Sequence, residues 1–272
     1  MVSMASTVNI KDMKPMNKVD FHSHILPSID DGSQSEAQSY EMLKQEKEHG
    51  VSVVLATPHF YPDDLTPEEF VEKRQAAYDR LMNYISNQDK KENFPTILQG
   101  AEVLLGVETA DLEDLRLLAI EGTDYILIEL PYNDIQEWVY ESLEKIRIKH
   151  GLTPVIAHVE RYVPFQRDLE SIHRLMCMEG ILGQVNTRAI LDAKTRGLCQ
   201  QLIGNRMVHV IGSDAHRVRH LKELDRAYAL ISKKHGETKL KMLHQQAEAL
   251  LRNEKIIKSM PHLLRKRWWD RW

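Results

Sequence analysis

The chain has few cysteines and no long apolar run, and both absences narrow its function. Its 272 residues include only two cysteines, too few for the disulfide framework of a small secreted domain. No apolar run approaches the ~20 residues of a membrane-spanning helix. Residues 1–7 also lack the apolar core of a secretion signal. We therefore expect a cytoplasmic protein without a membrane span.

Several catalytic signatures are missing as well. Cysteine-based phosphatases need an arginine six positions after the nucleophile, but Gly183 and Asn205 stand six positions after Cys177 and Cys199. The chain has neither a G-x-x-x-x-G-K-[ST] phosphate loop nor a G-x-S-x-G nucleophile elbow. Its net charge of −4 predicts no general attraction to nucleic acid.

Histidines and carboxylates are what the sequence does offer, and they recur where predicted strands give way to loops. His22 and His24 fall at the end of the first predicted strand, where alternate side chains point the same way. Two neighbouring imidazoles can form half of a metal site, although this pair alone is equally consistent with polar residues at a strand end. Later junctions add more candidates: His59, Glu102, Glu129, His158, Asp214 and His216.

Short apolar segments alternate with amphipathic helices along one unbroken run, which predicts an α/β fold with a parallel sheet. Helix starts are predicted at a capping box over 33–36 and at a second one over 66–69. Seven strand–helix units favour a nearly closed barrel whose functional residues lie at the carboxyl ends of the strands. We expect one barrel domain at 17–252, a flexible arm at 1–16 and a basic, tryptophan-rich tail at 253–272. The predicted strands are 18–23, 51–57, 96–103, 124–130, 153–158, 181–186 and 207–212.

The junction motifs together resemble those of the PHP (polymerase and histidinol phosphatase) superfamily over Val19 to about His220. The segments I-L-P-S-I-D-D-G at 25–32 and E-R-Y at 160–162 are similar to the bacterial metal-dependent protein-tyrosine phosphatases of capsule and exopolysaccharide clusters. One departure is Val159, where that family commonly has proline. The motifs are D-F-H-S-H at 20–24, T-P-H-F at 57–60, G-A-E at 100–102, I-E-L at 128–130, A-H-V-E-R-Y at 157–162 and G-S-D-A-H at 212–216.

The resemblance implies a distorted (β/α)7, TIM-like barrel of the PHP fold that holds up to three divalent metals, often Mn²⁺, with Fe or Zn as alternatives. It implies one metal on His22, His24, Glu102 and Asp214. A second would share Glu102 and take Glu129 and His158. The third would take Asp31, His59 and His216, with the adjacent Asp30 as an alternative to Asp31.

The resemblance also implies phosphotyrosine hydrolysis, with a hydroxide formed from a water whose pKa the metals lower. A guanidinium aimed at the phosphate oxygens would stabilise the developing charge. Arg161 is the first candidate for this catalytic and substrate-binding role. Arg219 or Arg217 is the second, and Tyr61 is a candidate for lining a phosphotyrosine pocket. Glu160 is open to two interpretations: a residue that orients a ligand, or a member of a surface ion pair.

The implied partner is a phosphotyrosine-bearing bacterial tyrosine kinase that regulates polysaccharide synthesis; no nucleic acid is expected, and the number of subunits stays open. Two alternatives remain: a small-molecule phosphomonoesterase of the histidinol-phosphate phosphatase type, and a non-catalytic, metal-stabilised binding module. The tail at 263–272 alternates basic residues with tryptophan. It is suited to peripheral contact with an anionic membrane, to docking, or to covering the outside of the barrel, which we favour.

Overall fold

A computed structural model describes residues 18–88, 93–167 and 169–265. The predicted arm at 1–16 lies outside these residues, as do the last seven residues of the tail. The strands are β1 (Val19–Ser23), β2 (Val53–Ala56), β3 (His59–Phe60), β4 (Thr96–Gln99), β5 (Glu102–Leu104), β6 (Tyr125–Glu129), β7 (Thr153–Ile156), β8 (Leu182–Asn186) and β9 (Val210–Gly212). The α-helices are α1 (Glu36–Glu48), α2 (Pro67–Ser86), α3 (Glu137–His150), α4 (Glu170–Cys177), α5 (Thr187–Leu191), α6 (Arg196–Gly204), α7 (Leu224–His235) and α8 (Glu237–Leu251).

All paired strands run parallel, in the orders β1-β2-β4 and β3-β5-β6-β7-β8-β9. The two sheets are continuous because β2 leads into β3 and β4 leads into β5. The amide of Gly100 donates to the carbonyl of Ala56 (2.8 Å), and that of Glu102 donates to the carbonyl of Pro58 (3.0 Å). Counting each broken pair as one strand gives seven. The bridge between Ser23 and Ala215 brings β9 against β1, so the predicted α/β, TIM-like barrel is confirmed.

Two strands predicted as continuous, 51–57 and 96–103, are each interrupted near the rim. Pro58 has no amide hydrogen to donate and separates β2 from β3. At the facing break, Gly100 lies so close to Thr57 that an added Cβ would be 3.3 Å from its Cγ2. The last predicted strand, 207–212, is also too long, since β9 begins at Val210.

One of the two predicted helix starts was wrong. The N-cap of α1 is Ser35, whose side chain accepts a hydrogen bond from the amide of Gln38, so the predicted box over 33–36 does not form. The hydroxyl of Ser33 instead donates a hydrogen bond to the carbonyl of Ser35 (3.0 Å). The box at Thr66 and Glu69 is confirmed, with Pro67 in the first turn of α2.

Apolar side chains fill the barrel below the rim. Phe21, Leu55, Leu127 and Val155 are fully buried in one cluster, and Leu250 of α8 packs into the same cluster. Larger apolar clusters lie between the strands and the surrounding helices. The strands are therefore covered on both faces, as their nearly continuous apolar sequences predict. This rigid frame leaves the carboxyl ends of the strands to carry polar side chains.

The chain beyond α8 packs on the barrel as far as the structure describes it. The hydroxyl of Tyr125 donates to the carbonyl of Glu254 (2.6 Å), and Lys258 donates to the carbonyls of Met178 and Ile181 (2.5 and 2.9 Å). Leu264 is buried. The three tryptophans expected to cover the barrel lie beyond residue 265. Within residues 18–88, 93–167 and 169–265, no helix has the length and apolar character needed to cross a membrane.

Candidate metal centre

The side chains predicted as metal ligands converge at the carboxyl rim of the barrel. Three of the histidines are completely buried, and Asp31 is the most exposed member, with 72% of its side chain accessible. The convergent set is His22, His24, Asp31, His59, Glu102, Glu129, His158, Asp214 and His216.

Glu102 stands at the middle of this set. Its Oε2 lies 3.1 Å from His22 Nε2, 3.2 Å from His24 Nε2 and 3.2 Å from His59 Nδ1. Its Oε1 lies 2.7 Å from His158 Nε2. Burial alone would raise the pKa of Glu102, but the positive charge of His22 and the hydrogen bond from His158 hold it well below the usual range. The central carboxyl is therefore a carboxylate with nitrogen atoms on several sides.

Two further groups adjoin the central carboxylate. Asp214 Oδ1 lies 3.4 Å from His24 Nε2. Glu129 Oε1 lies 3.7 Å from His158 Nε2. Burial and the charge of Glu102 raise the pKa of Glu129 to about 7. A positive charge nearby would therefore stabilise the ionised form of this carboxyl.

The outermost group contains Asp31, His59 and His216. Asp31 Oδ1 lies 3.2 Å from His216 Nε2 and 3.6 Å from His59 Nε2. The groups overlap more than the predicted three-way partition. Donor atoms of His24 come within 4.8 Å of this outer set, and a donor atom of His59 comes within the same limit of Glu102 and Glu129.

Asp30 occupies a different position from its neighbour Asp31. Its Oδ2 accepts from His24 Nδ1 (2.7 Å) and from the amide of His59 (3.1 Å), and its Oδ1 accepts from the amide of Gly32 (2.8 Å). Its side chain is 5% exposed. Because Asp30 fixes Nδ1 of His24, the Nε2 atom is free to face Glu102. Such carboxylate–histidine pairs orient ligands around metals.

Sequence analysis missed a second supporting group on β8. Gln184 Oε1 accepts from the amide of His158 (2.7 Å) and lies 3.4 Å from His22 Nδ1. Its amide donates to Asn186 (2.8 Å), which in turn donates to Asp214 (2.8 Å). Both amides are buried. Their signal in the sequence was two polar residues at alternate positions near the end of an apolar strand.

Two of the predicted ligands have left-handed backbone conformations. The φ angle is 31° at His158 and 51° at Asp214. Non-glycine residues reach this region at a cost of roughly 1–3 kcal/mol, and such strain is concentrated at functional sites. The hydrogen bond that the amide of His158 donates to Gln184 and the one that Asn186 donates to Asp214 help to hold both residues in place.

Arg161, the first candidate for binding phosphate, lies at the rim beside Asp214. Its Nη2 donates to Asp214 Oδ2, and its Nη1 donates to the hydroxyl of Tyr132 (3.2 Å). That hydroxyl donates to Glu129 Oε1 (2.9 Å). Tyr132 thus connects the guanidinium to one of the predicted ligands, and 43% of the Arg161 side chain remains exposed.

The other candidates occupy different positions around the rim. Arg217 donates to the carbonyls of Asp31 (2.8 Å) and His216 (2.6 Å), so it connects two loops. Arg219 is exposed and lines a cavity beside Asp214. The ring of Tyr61 stacks on His59 with centroids 5.4 Å apart.

Glu160 is not part of a surface ion pair. It is buried, its Oε1 accepts from the amide of Asn186 (3.3 Å), and burial raises its pKa to about 7.

The donor atoms fit a metal cluster better than a network of hydrogen bonds. Among the described residues, Glu102 Oε2 and His59 Nδ1 are buried without a hydrogen-bond partner, although the two atoms are 3.2 Å apart. His158 Nδ1 is buried and has no partner among the same residues. Buried polar atoms are rarely left in this condition unless an ion or a water completes them. Mixed imidazole and carboxylate donors suit Mn, Fe or Zn better than Ca.

Comparison with known proteins gives an independent result. The family model for capsular polysaccharide synthesis, CpsB/CapC, matches residues 18–252. The chain is 30% identical over 258 residues to the tyrosine-protein phosphatase YwqE of Bacillus subtilis, with 92% of this chain and 97% of that protein covered.

Solved structures agree with this match. A crystal structure reported for YwqE of Bacillus subtilis and CpsB of Streptococcus pneumoniae, described as unique metal-dependent tyrosine phosphatases, has a TM-score of 0.78 to this chain. The identity is 27%, with 91% of this chain and 100% of that chain covered. A TatD family hydrolase of Entamoeba histolytica has a TM-score of 0.52 at 10% identity, covering 86% of this chain and 97% of that chain. This second likeness shows the barrel fold alone.

Proposed function

The chain belongs to the CpsB/CapC family of capsular polysaccharide synthesis and is a metal-dependent tyrosine-protein phosphatase, and from this premise we propose its substrate, its metal and its working residues. The substrate is phosphotyrosine on a bacterial tyrosine autokinase that regulates capsular or extracellular polysaccharide synthesis. The metal is Mn²⁺, at up to three positions. The observation that carries the proposal is the convergence of imidazoles and carboxylates around Glu102, with Arg161 beside them.

Divalent ions at these positions would neutralise phosphate oxygens and lower the pKa of a water from about 15.7 toward about 7. The predicted ligands would hold them: His22, His24, Asp31, His59, Glu102, Glu129, His158, Asp214 and His216. Phosphotyrosine is a suitable substrate because its leaving phenol has a pKa of about 10 and needs less protonation than an alkoxide.

Arg161 binds the phosphate oxygens in this proposal. It is held from two sides by Asp214 and Tyr132, so its remaining N–H groups are already oriented when the substrate arrives. Such preorganised donors stabilise the charge that develops in a transition state. Tyr61 on His59 and Tyr132 on His158 present two half-exposed rings at the rim. They are placed to flank the aromatic ring of the substrate.

We place the enzyme in the cytoplasm, where the phosphorylated tyrosines of such a kinase would be within reach. Cys177 and Cys199 are both free, which fits a reducing compartment.

Substrate choice is tested by comparing kcat/KM for a phosphotyrosine peptide and for histidinol phosphate, with and without Mn²⁺. We expect the peptide to be preferred and turnover to depend on the metal. Preference for histidinol phosphate would support the small-molecule alternative.

Catalysis at this centre is tested with His22→Ala and para-nitrophenyl phosphate. Loss of one buried imidazole should lower the rate by at least about a hundredfold. The matched control is His262→Ala, at an exposed histidine on the C-terminal segment, which should retain the wild-type rate. Equal rates for wild type and His22→Ala would support the non-catalytic alternative.

A further inference from the structure

A cavity of about 470 Å³ opens beside the candidate metal centre. Its wall includes Asp214 and Arg161, so the cavity is continuous with the site at which phosphate would bind. Arg188 from the first turn of α5 and Arg219 from the loop after β9 also line it. A volume of this size holds a side chain or a small ligand group.

The two outer arginines have unused hydrogen-bonding capacity. Both are exposed, and neither guanidinium has a hydrogen bond or an ion pair within the described part of the chain. They also line the same cavity as the side chain of His220. Two guanidiniums in one wall supply paired N–H groups that can bind an anion.

Within the described residues, no carboxylate in the same wall forms an ion pair with Arg188 or Arg219. Asp214 is bound by Arg161, and Glu223 is paired with Arg226. Asp192 accepts from the amide of Lys194 (2.8 Å), and the buried Glu160 accepts from the amide of Asn186 (3.3 Å). The carboxylates that line the cavity are Glu160, Asp192, Asp214 and Glu223.

From this arrangement we infer that the cavity is a second anion subsite, in which Arg188 and Arg219 bind a negatively charged side chain next to the phosphotyrosine of the same peptide. The inference rests on the proposed function. A guanidinium binds carboxylate and phosphate through the same paired N–H groups. The ligand is therefore an acidic residue or a second phosphorylated tyrosine. Arg161 serves the reacting phosphate, while Arg188 and Arg219 select its neighbour.

The test uses the Mn²⁺-loaded enzyme and three phosphotyrosine peptides. The reference peptide has alanine at the flanking positions. In the second peptide, glutamate replaces alanine one to three residues from the phosphotyrosine, and in the third a second phosphotyrosine does so. The measurement is the ratio of kcat/KM for each anionic peptide to that for the reference. We expect a ratio of about ten for wild type, because charged hydrogen bonds are stronger than neutral ones. The ratio should fall at high ionic strength.

Arg188→Gln should bring this ratio close to one, and Arg219→Gln should lower it in the same way. Lys194→Gln is the matched control, since Lys194 is an exposed cation just beyond α5 that does not line the cavity. It should keep the wild-type ratio. A preference for only one anionic peptide would support the subsite and identify carboxylate or phosphate as its ligand.

Three results would overturn the inference. One is a wild-type ratio of one for both anionic peptides. Another is an equal fall in kcat/KM for all peptides in Arg188→Gln or in Arg219→Gln, because that arginine would then serve the reacting phosphate or the fold. The third is the same loss of ratio in Lys194→Gln, which would indicate a general field. If the wild type hydrolysed no phosphotyrosine peptide at all, the proposed function itself would fail. Equal hydrolysis of all three peptides would contradict the proposed subsite and leave the proposed function standing.

Discussion

Adjacent aspartates in the loop after β1 provide a matched pair of perturbations, Asp30→Asn and Asp31→Asn. The two residues have the same chemistry but different surroundings. Asp30 is buried and accepts three hydrogen bonds, from His24 Nδ1 and from the amides of His59 and Gly32. Asp31 is 72% exposed and lies near two imidazoles of the outermost group. Replacing Asp30 with asparagine therefore tests the support of His24, whereas replacing Asp31 with asparagine tests metal ligation.

The expected cost of Asp30→Asn follows from its three donors. An asparagine keeps one acceptor oxygen and presents an NH₂ group in place of the other, so at least one N–H group loses its partner. Hydrogen bonds to charged groups contribute about 1.5–3 kcal/mol each, and we expect Asp30→Asn to lower the free energy of unfolding by about 2 kcal/mol. Loss of orientation at His24 should also weaken Mn²⁺ binding by about 10–100-fold. Asp31→Asn should change stability by less than about 0.5 kcal/mol.

The stability effect should depend on pH in a defined direction. Burial alone would raise the pKa of Asp30, but the hydrogen bond and charge of His24 outweigh it and lower the pKa below 3.8. A lowered pKa adds stability above the usual value, and this stability is lost as the pH falls through the lowered value. The difference between wild type and Asp30→Asn should therefore be full near pH 7 and should shrink below about pH 4.

Urea unfolding of the metal-stripped proteins measures stability, and Mn²⁺ titration followed by elemental analysis measures binding. Asp31→Asn should lose only part of the bound metal while its unfolding midpoint stays at the wild-type value. The reasoning is refuted if Asp31→Asn destabilises the metal-stripped protein as much as Asp30→Asn does. It is equally refuted if Asp30→Asn binds Mn²⁺ with wild-type affinity.

Three further predictions concern other parts of the molecule. Tyr132→Phe removes the hydroxyl between the guanidinium and a predicted ligand, and kcat/KM for a phosphotyrosine peptide should fall roughly tenfold; an unchanged value would exclude this role. Burial and the charge of Asp20 hold the pKa of Glu46 well above 4.5. The folded wild type therefore binds a proton that the unfolded chain has lost. Its free energy of unfolding falls as the pH rises, by at most about 1.4 kcal/mol per pH unit. Glu46→Gln should therefore gain stability over wild type from pH 5 to pH 8, and parallel urea-midpoint profiles would contradict this. Thr66→Ala should cost about 1 kcal/mol through loss of the N-cap of α2 while Thr66→Asp retains it, and equal melting temperatures for the two variants would show that the cap does not contribute.

Alternation along the strands explains why much of the site could be predicted from the sequence. Residues of the barrel interior, such as Leu98, Leu127 and Val210, fix which face of each strand points inward. The side chain of every second residue toward the rim points to that same face. The same count leads from Leu127 to Glu129 within β6, and it also reaches Glu102 from Leu98 although the strand is interrupted between β4 and β5. Wherever the strand continues regularly, a sequence with correct strand assignments is sufficient to place its ligands.

The same rule also leads to residues that sequence analysis missed. Leu182 belongs to the interior cluster, and the following positions on that face of β8 are Gln184 and Asn186. They were overlooked because amides are weaker indicators of a metal site than imidazoles or carboxylates. Arg188 could not be predicted as part of a cavity, since its role depends on the loop after β9 lying beside α5, a contact between residues far apart in the chain.

Alternation fails at the histidines that make the site recognisable. Phe21 points into the barrel interior, so a regular strand would turn His22 outward; instead, the pairing of β1 with β2 is irregular between Asp20 and Ser23. His158 follows the inward-facing Ala157 and reaches the centre through a backbone with φ of 31°.

Both irregular histidines meet the same side chain, because Gln184 lies against His22 Nδ1 and accepts from the amide of His158. The centre therefore combines ligands placed by regular strands with ligands placed by irregular backbone. The second kind requires a partner that is not a ligand itself. Backbone irregularity of this kind produces no periodic pattern in the sequence. Strand geometry alone would therefore have pointed these histidines away from the site, whereas motif spacing identified them.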